Sequence, residues 1–278
     1  MGLFLGRREF VLGASSLGPL IVGDRLNLFD KVGPRNDVPP LSASVVVPQQ
    51  NLAGSQQRPR VLVFDVNQTL LDLGALRPQF ARVFGDARAL DEWFSLLLQY
   101  SLVVTVADAY SDFGTVGGAV LEMIASAKRV RLSPEDKAVI LRGMLLLPAH
   151  PDVPENLKRL QAAGFRMVTL TNSSSTAVKA QLQNASLTQY FEESISVDSV
   201  HRFKPDLEVY RSAATHLGVK PTELRLIAAH AWDVFGAMKA GWQAAFVARN
   251  GIALFPLGSK PDIIGPDMNA VADALLRN

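Results

Sequence analysis

Arg60-Val61-Leu62-Val63-Phe64-Asp65-Val66-Asn67-Gln68-Thr69-Leu70-Leu71-Asp72 is the stretch on which the fold turns. Its first seven residues form a short, nearly unbroken apolar run, the pattern of a strand buried on both faces of a parallel sheet. Asp65 interrupts the run where the strand should end. An ionised carboxylate at the mouth of a buried strand is costly unless paired, so such a residue either carries chemistry or meets a partner. A plain helix-capping aspartate is the structural alternative.

Further along the chain the same kind of run recurs at Phe165–Leu170, Ser194–Val197, Leu224–Ala229 and Ala244–Ala248. Helical stretches separate these runs. Asp152 is placed to cap a helix that stops at Gly164, Pro205-Asp206 opens one that stops at Gly218, and Trp232–Ala240 is closed by Gly241. Strands alternating with helices predict an α/β fold with a doubly wound, Rossmann-like parallel sheet. Residues 76 to about 146 break the alternation. They read as helices alone, around Gln79–Phe84, Leu90–Val104, Phe113–Lys128 and Pro134–Leu146, the last with Ser133 as N-cap and Pro134 in its first turn. An all-helical insert after the first strand is expected to cover the carboxyl edge of the sheet, where open α/β sheets bind ligands. The expected division is a core of 59–75 plus 147–278 and a helical cap of 76–146.

Composition narrows the chemistry. The chain has 278 residues, 48% of them hydrophobic and 19% charged, with 28 basic against 26 acidic residues. This is globular composition, and the near balance of charge gives no reason to expect a nucleic-acid partner. With no cysteine in the sequence, a disulfide, a thiolate metal site and a cysteine nucleophile are excluded. The first 58 residues read differently from the rest. Arg7-Arg8 followed by Phe10-Val11-Leu12 and a weakly apolar stretch to Val22 resembles a twin-arginine export signal. The apolar stretch is about thirteen residues, too short to span a bilayer as a helix. Ser42-Ala43-Ser44 offers small residues for cleavage, and a polar linker follows over 45–58. The expectation is a partner in the export machinery and an extracytoplasmic location, with a cytoplasmic one if the two arginines are a chance pair.

Three further motifs stand at predicted strand ends: Leu170-Thr171-Asn172-Ser173, Phe203-Lys204-Pro205-Asp206 and Ala228-Ala229-His230-Ala231-Trp232-Asp233. Each alone has an ordinary structural explanation as a polar loop start, a surface lysine or a helix cap. In this order with the Asp65 motif, they resemble the haloacid dehalogenase superfamily over roughly residues 60–275. Asp-x-x-x-Thr-Leu-x-Asp, Thr-Asn-Ser, Lys-Pro-Asp with Tyr210 six residues on, and Ala-x-Ala-Trp-Asp-x-x-Gly-Ala are similar to its 2-haloacid dehalogenase branch.

The resemblance implies a metal-independent hydrolase acting on a small haloacid, with no cofactor, and a homodimer as a possible assembly. Asp65 would attack carbon, expel halide and form an ester that water hydrolyses. Lys204 would keep Asp65 ionised, and Asp233 would orient or activate the water. Thr69, Thr171, Asn172, Tyr210, His230 and Gln68 would surround the substrate. Superfamily phosphatases carry an acid two residues after the nucleophile, where this chain has Asn67, and an amide cannot move a proton near neutral pH. With Asp65 taken as nucleophile and Asp233 the one acid of the fourth motif, hard oxygen ligands for Mg²⁺ are few. A phosphatase of the same fold and a non-catalytic binding protein are the alternatives. The chain departs from the branch at Asn67 and Gln68, where the family has Tyr and Gly. It departs again at Ala228 and His230, in place of Ser and Asn, and at Phe94, in place of a halide-receiving arginine. Gln68, Trp93, Gln99 and Tyr100 are candidate replacements for that arginine, with the aromatic ones otherwise serving as helix core.

Overall fold

A computed structural model describes residues 59–249 and 252–277, which belong to one compact unit. The Arg7-Arg8 signal, the Ser42-Ala43-Ser44 site and the 45–58 linker lie outside the described residues. Six strands form one parallel sheet: β1 (Val61–Phe64), β2 (Arg166–Thr171), β3 (Glu193–Ser196), β4 (Leu224–Ala228), β5 (Gln243–Val247) and β6 (Ile263–Gly265). Their order is β3-β2-β1-β4-β5-β6. β1 is central, and all four of its residues are buried, as its unbroken apolar run requires.

The order reverses direction between β1 and β4, the switch point at which open α/β sheets form a crevice. Register brings the chemistry together there. Phe64 lies opposite Thr169 on one side and Ile227 on the other, so the residues that follow β1, β2 and β4 emerge at one edge. Asp65 is tied into that edge by its backbone N–H, which donates to the Ile227 carbonyl at 3.1 Å.

Four helices follow β1: α1 (Arg77–Phe84), α2 (Ala89–Val106), α3 (Phe113–Lys128) and α4 (Pro134–Gly143). Ser133 caps α4 by accepting from the Asp136 N–H, and Asp112 caps α3 by accepting from Gly114 and Thr115. α2 packs along α3 through Trp93, whose indole N–H donates to the Gly117 carbonyl at 2.9 Å. Phe80 and Phe94 flank the same indole. The chain leaves for these helices and returns from them at one place, where Leu71 bridges Ala149 and the His150 N–H donates to the Leu70 carbonyl.

The remaining helices are α5 (Val153–Ala162), α6 (Ser175–Asn184), α7 (Leu207–Leu217), α8 (Ala231–Lys239) and α9 (Met268–Arg277). The sequence reading did not anticipate α6, β6 or α9. It also misplaced Asp152. That residue has helical backbone angles and makes no side-chain cap to α5. Its carboxylate instead accepts from Arg249 at 3.0 and 3.1 Å and from the Met268 N–H, the first of α9, at 2.7 Å. A two-pronged guanidinium outcompetes a single helix-end N–H for a carboxylate. Arg249 completes the brace by donating its Nε hydrogen to the Thr69 carbonyl, which pins the loop that follows Asp65.

Candidate active site

Asp65 is 4% exposed, and both its oxygens are engaged. Oδ1 accepts from the Lys204 ammonium at 2.9 Å, while Oδ2 accepts from the Thr69 hydroxyl at 2.5 Å and faces His230 Nδ1 at 3.1 Å. Thr69 is itself fixed, since its oxygen accepts from the Ala229 N–H at the end of β4. Lys204 spends its three hydrogens on Asp65, on Asp233 Oδ2 at 2.6 Å and on the Leu170 carbonyl at the end of β2. Its backbone N–H donates to the Asn172 side-chain oxygen. The lysine therefore draws the ends of β1, β2 and the β4–α8 turn around one nitrogen.

The charges follow from that arrangement. Burial pushes the Asp65 carboxyl up, but the Lys204 ammonium, with His230 and Thr69, reverses this and holds it well below the usual carboxylate range. For Lys204, burial works against the charge, yet Asp233 and Asp65 outweigh it and raise the ammonium above its ordinary value. Asp233 is raised, chiefly by burial and in part by the like charge of Asp65, against the pull of Lys204. The nucleophile candidate is the more firmly ionised of the two carboxyls. That is the state required for attack on carbon.

The model of haloacid dehalogenase-like hydrolases matches residues 59–241. The chain belongs to that family. Among the hydrolases it resembles are (S)-2-haloacid dehalogenase 4A of Burkholderia cepacia, 30% identical over 194 residues, covering 69% of this chain and 84% of the relative. (S)-2-haloacid dehalogenase 1 of Pseudomonas sp. (strain CBS-3) is 31% identical over 68% of this chain and 85% of the relative. A crystal structure of a dehalogenase with an intermediate complex superposes with a TM-score of 0.75 at 26% identity, over 80% of this chain and 99% of that one.

For a hydrolase of this family, the residues singled out in the sequence divide into those at the carboxylate and those behind it. Asp65, Thr69, Lys204 and His230 form the immediate cluster. Asn172 sits beside it with its oxygen spent on Lys204, and its Nδ2 makes no hydrogen bond among the described residues. Thr171 does not face the cluster through its hydroxyl, which accepts from the Ser173 N–H and shapes the turn after β2. Tyr210, expected beside the substrate, stands one contact behind the Asp65 cluster. It is fully buried, and its hydroxyl donates to Asp233 Oδ1 at 2.6 Å. Asp233 is likewise fully buried, with Oδ1 and Oδ2 taken by Tyr210 and Lys204.

The replacements at departing positions are equally specific. Asn67 donates to Ser173 at 3.1 Å and accepts from Gln181 at 2.9 Å, a buried amide network in place of an acid. Gln68 adopts φ 62°, the left-handed backbone that favours glycine, and its Oε1 meets His230 Nε2 at 2.8 Å. Phe94 and Trp232 both stack against the His230 ring, with centroids 6.1 and 4.9 Å away. Of the four candidates to replace the arginine, Gln68 alone touches this cluster. Trp93 is committed to α3, Gln99 is exposed, and Tyr100 packs against the core.

Sequence reasoning missed two supporting residues. Gly236 in α8 has no room for a side chain, since a Cβ would stand 2.6 Å from Pro205 and 2.7 Å from the Tyr210 oxygen. The spacing Asp-x-x-Gly contained that signal, because a glycine one turn after the acid leaves space for a partner. Arg249 gave no such signal. Its contacts join positions 97 and 180 residues away.

Proposed function

We propose that this hydrolase displaces halide from a 2-haloacid through an ester on Asp65, which water then cleaves. The observation that carries the reading is the Lys204 ammonium, shared between Asp65 and Asp233. It keeps an anionic nucleophile ready in a site with little solvent. Attack by Asp65 forms a bond to the α-carbon as the carbon–halogen bond breaks, and halide leaves without needing a proton. The relatives named as (S)-2-haloacid dehalogenases support the choice of leaving group and substrate class.

Phosphoryl transfer would call on an acid at position 67 and on carboxylates open to a cation. Asn67 is bound to Ser173 and Gln181, and both oxygens of Asp233 are occupied, so these residues do not suit that chemistry. The test uses (S)-2-chloropropionate in ¹⁸O-water over many turnovers. The expected result is halide release that EDTA does not affect, with ¹⁸O in the Asp65 peptide and no turnover by Asp65→Asn. Label-free Asp65 after turnover would overturn the mechanism, and Mg²⁺-dependent phosphate release in place of halide would overturn the substrate. The paired arginines Arg7-Arg8 support export of the protein by the twin-arginine route. A reporter fused to residues 1–58 is expected outside the cytoplasm, and a wholly cytoplasmic reporter would refute export.

A further inference from the structure

We propose that Thr105, near the end of α2, is a positioning residue for Lys204, so that the helical insert takes part in holding the cation beside the nucleophile. The proposal rests on the haloacid reading above for the reaction through which it is measured. It starts from the stretch of chain that carries the lysine. Residues 200–206 run from the end of β3 to α7 without forming a helix or strand of their own. Such a stretch is only as precise as its tethers. Lys204 must nevertheless bring one nitrogen within hydrogen-bond reach of Asp65, Asp233 and the Leu170 carbonyl at once.

Two successive backbone N–H groups tie the stretch down. That of Lys204 donates to the Asn172 side chain, in the turn after β2. That of Phe203 donates to the Thr105 hydroxyl at 3.0 Å, 98 positions earlier in the helical insert. The hydroxyl is prepared for this. Its hydrogen goes to the Ser101 carbonyl one turn back, at 2.9 Å, which leaves the oxygen lone pairs to accept. Thr105 and Phe203 are 6% and 0% exposed, so bulk water cannot stand in for either partner. The side chains around this bond join the same two segments. Tyr110, in the α2–α3 turn, and Phe113, at the start of α3, pack on the Phe203 ring with centroids 5.1 and 5.9 Å away. The Tyr110 hydroxyl donates to Asp198 at 2.6 Å. Arg202 donates to the Thr105 carbonyl and to Asp108, which sets a cation at the carboxyl end of α2, where the helix dipole favours one.

α2 therefore meets the site twice. Phe94 stacks against His230, and Thr105, about 16 Å further along the axis, holds the residue before Lys204. Between them Leu97 and Ser101 continue the same buried face. Removing the Thr105 hydroxyl would leave the Phe203 N–H buried without its acceptor. The stretch would shift to find another, and the displacement would reach Lys204 through a single peptide bond. A Lys204 nitrogen drawn away from Asp65 loosens the orientation of the attacking carboxylate. That slows the chemical step without removing a contact to the substrate.

The test compares wild type with Thr105→Val, Thr105→Ser and Asn184→Ala. Valine keeps the shape of threonine but loses the acceptor, whereas serine keeps the acceptor. Asn184→Ala breaks a different bond between insert and core, from Asn184 to the Leu145 carbonyl, and is the control for general loosening. On (S)-2-chloropropionate, kcat for halide release should fall about 100-fold in Thr105→Val, the scale of a displacement of about 1 Å passed to a reacting group, with KM nearly unchanged. Thr105→Ser and Asn184→Ala should both run near the wild-type rate. The ¹⁵N signal of the buried Lys204 ammonium should shift in Thr105→Val and return in Thr105→Ser, a reading that needs no substrate. Should Thr105→Val fail to fold, Thr105→Ala is read in its place. A wild-type kcat in the folded variant overturns the proposal. So does a Thr105→Ser enzyme as slow as Thr105→Val, or an equal loss in Asn184→Ala. No halide from wild type overturns the haloacid reading instead. The Lys204 signal then decides the proposal alone, and an unchanged signal in Thr105→Val overturns it.

Discussion

The Tyr210 hydroxyl crosses α8 through the gap left by Gly236, at a point where a Cβ would come within 2.7 Å of the oxygen. The tyrosine thereby reaches Asp233, and Asp233 in turn shares Lys204 with Asp65. Gly236→Ala should force Tyr210 or α8 to move, at a cost of about 1–3 kcal/mol as overpacking. Tyr210→Phe should cost about 1.5–3 kcal/mol, the range for a hydrogen bond to a charged group. Urea unfolding of both variants checks this, and unchanged midpoints would show that the contact bears no load.

Arg249 and Asp152 make a second prediction, about stability alone. The guanidinium and carboxylate are mostly buried and doubly bonded. Arg249→Met leaves Asp152 with the Met268 N–H and no cation, and should destabilise the fold by about 3–5 kcal/mol. Arg249→Met combined with Asp152→Asn should recover part of that loss. A double variant no better than the single one would mean that Arg249 acts through Thr69 instead.

Position 68 yields a prediction with an unusual sign. Glycine destabilises helices relative to alanine, but Gln68 sits at φ 62°, where a Cβ costs about 1–2 kcal/mol. Gln68→Gly should therefore be more stable than Gln68→Ala by about that amount. Equal thermal midpoints for the two would contradict the left-handed backbone.

The pH dependence follows from the depressed Asp65 carboxyl. A group lowered on folding contributes stability that is present above its unfolded value, about 3.9, and is lost as pH falls through its lower folded value. Asp233, raised on folding, acts in the opposite sense and favours the fold as it protonates. Asp65 should stay ionised throughout the range above pH 4, so kcat/KM for halide release should show no carboxylate-type fall between pH 7 and about 4.5. A fall with a midpoint near 5 would show that Lys204 does not hold the nucleophile as described.

Much of the fold was legible because its signals are local. Apolar runs gave five strands, and Ser133-Pro134 marked the start of α4. β6 was missed because Ile263-Ile264-Gly265 is too short to stand out from a loop. α9 had a readable start, with Asp267 accepting from the Ala270 N–H, but it followed no recognised strand. At the site, motif order located Asp65, Lys204 and His230. Burial and partner choice were not in the motifs. Asp152 was misassigned as a cap because a side chain's partner depends on distant segments, here Arg249.

The paired crossing at Leu71 and Ala149 has a consequence for how such a protein can change over generations. Departure and return lie side by side, so the helices between them close a loop whose ends meet whatever its length. Residues can be gained, lost or exchanged in α1 to α4 without shifting the register of β1 against β2 and β4. The helical surface that reaches the sheet edge through Phe94 is free to vary, while Asp65 stays where the sheet puts it.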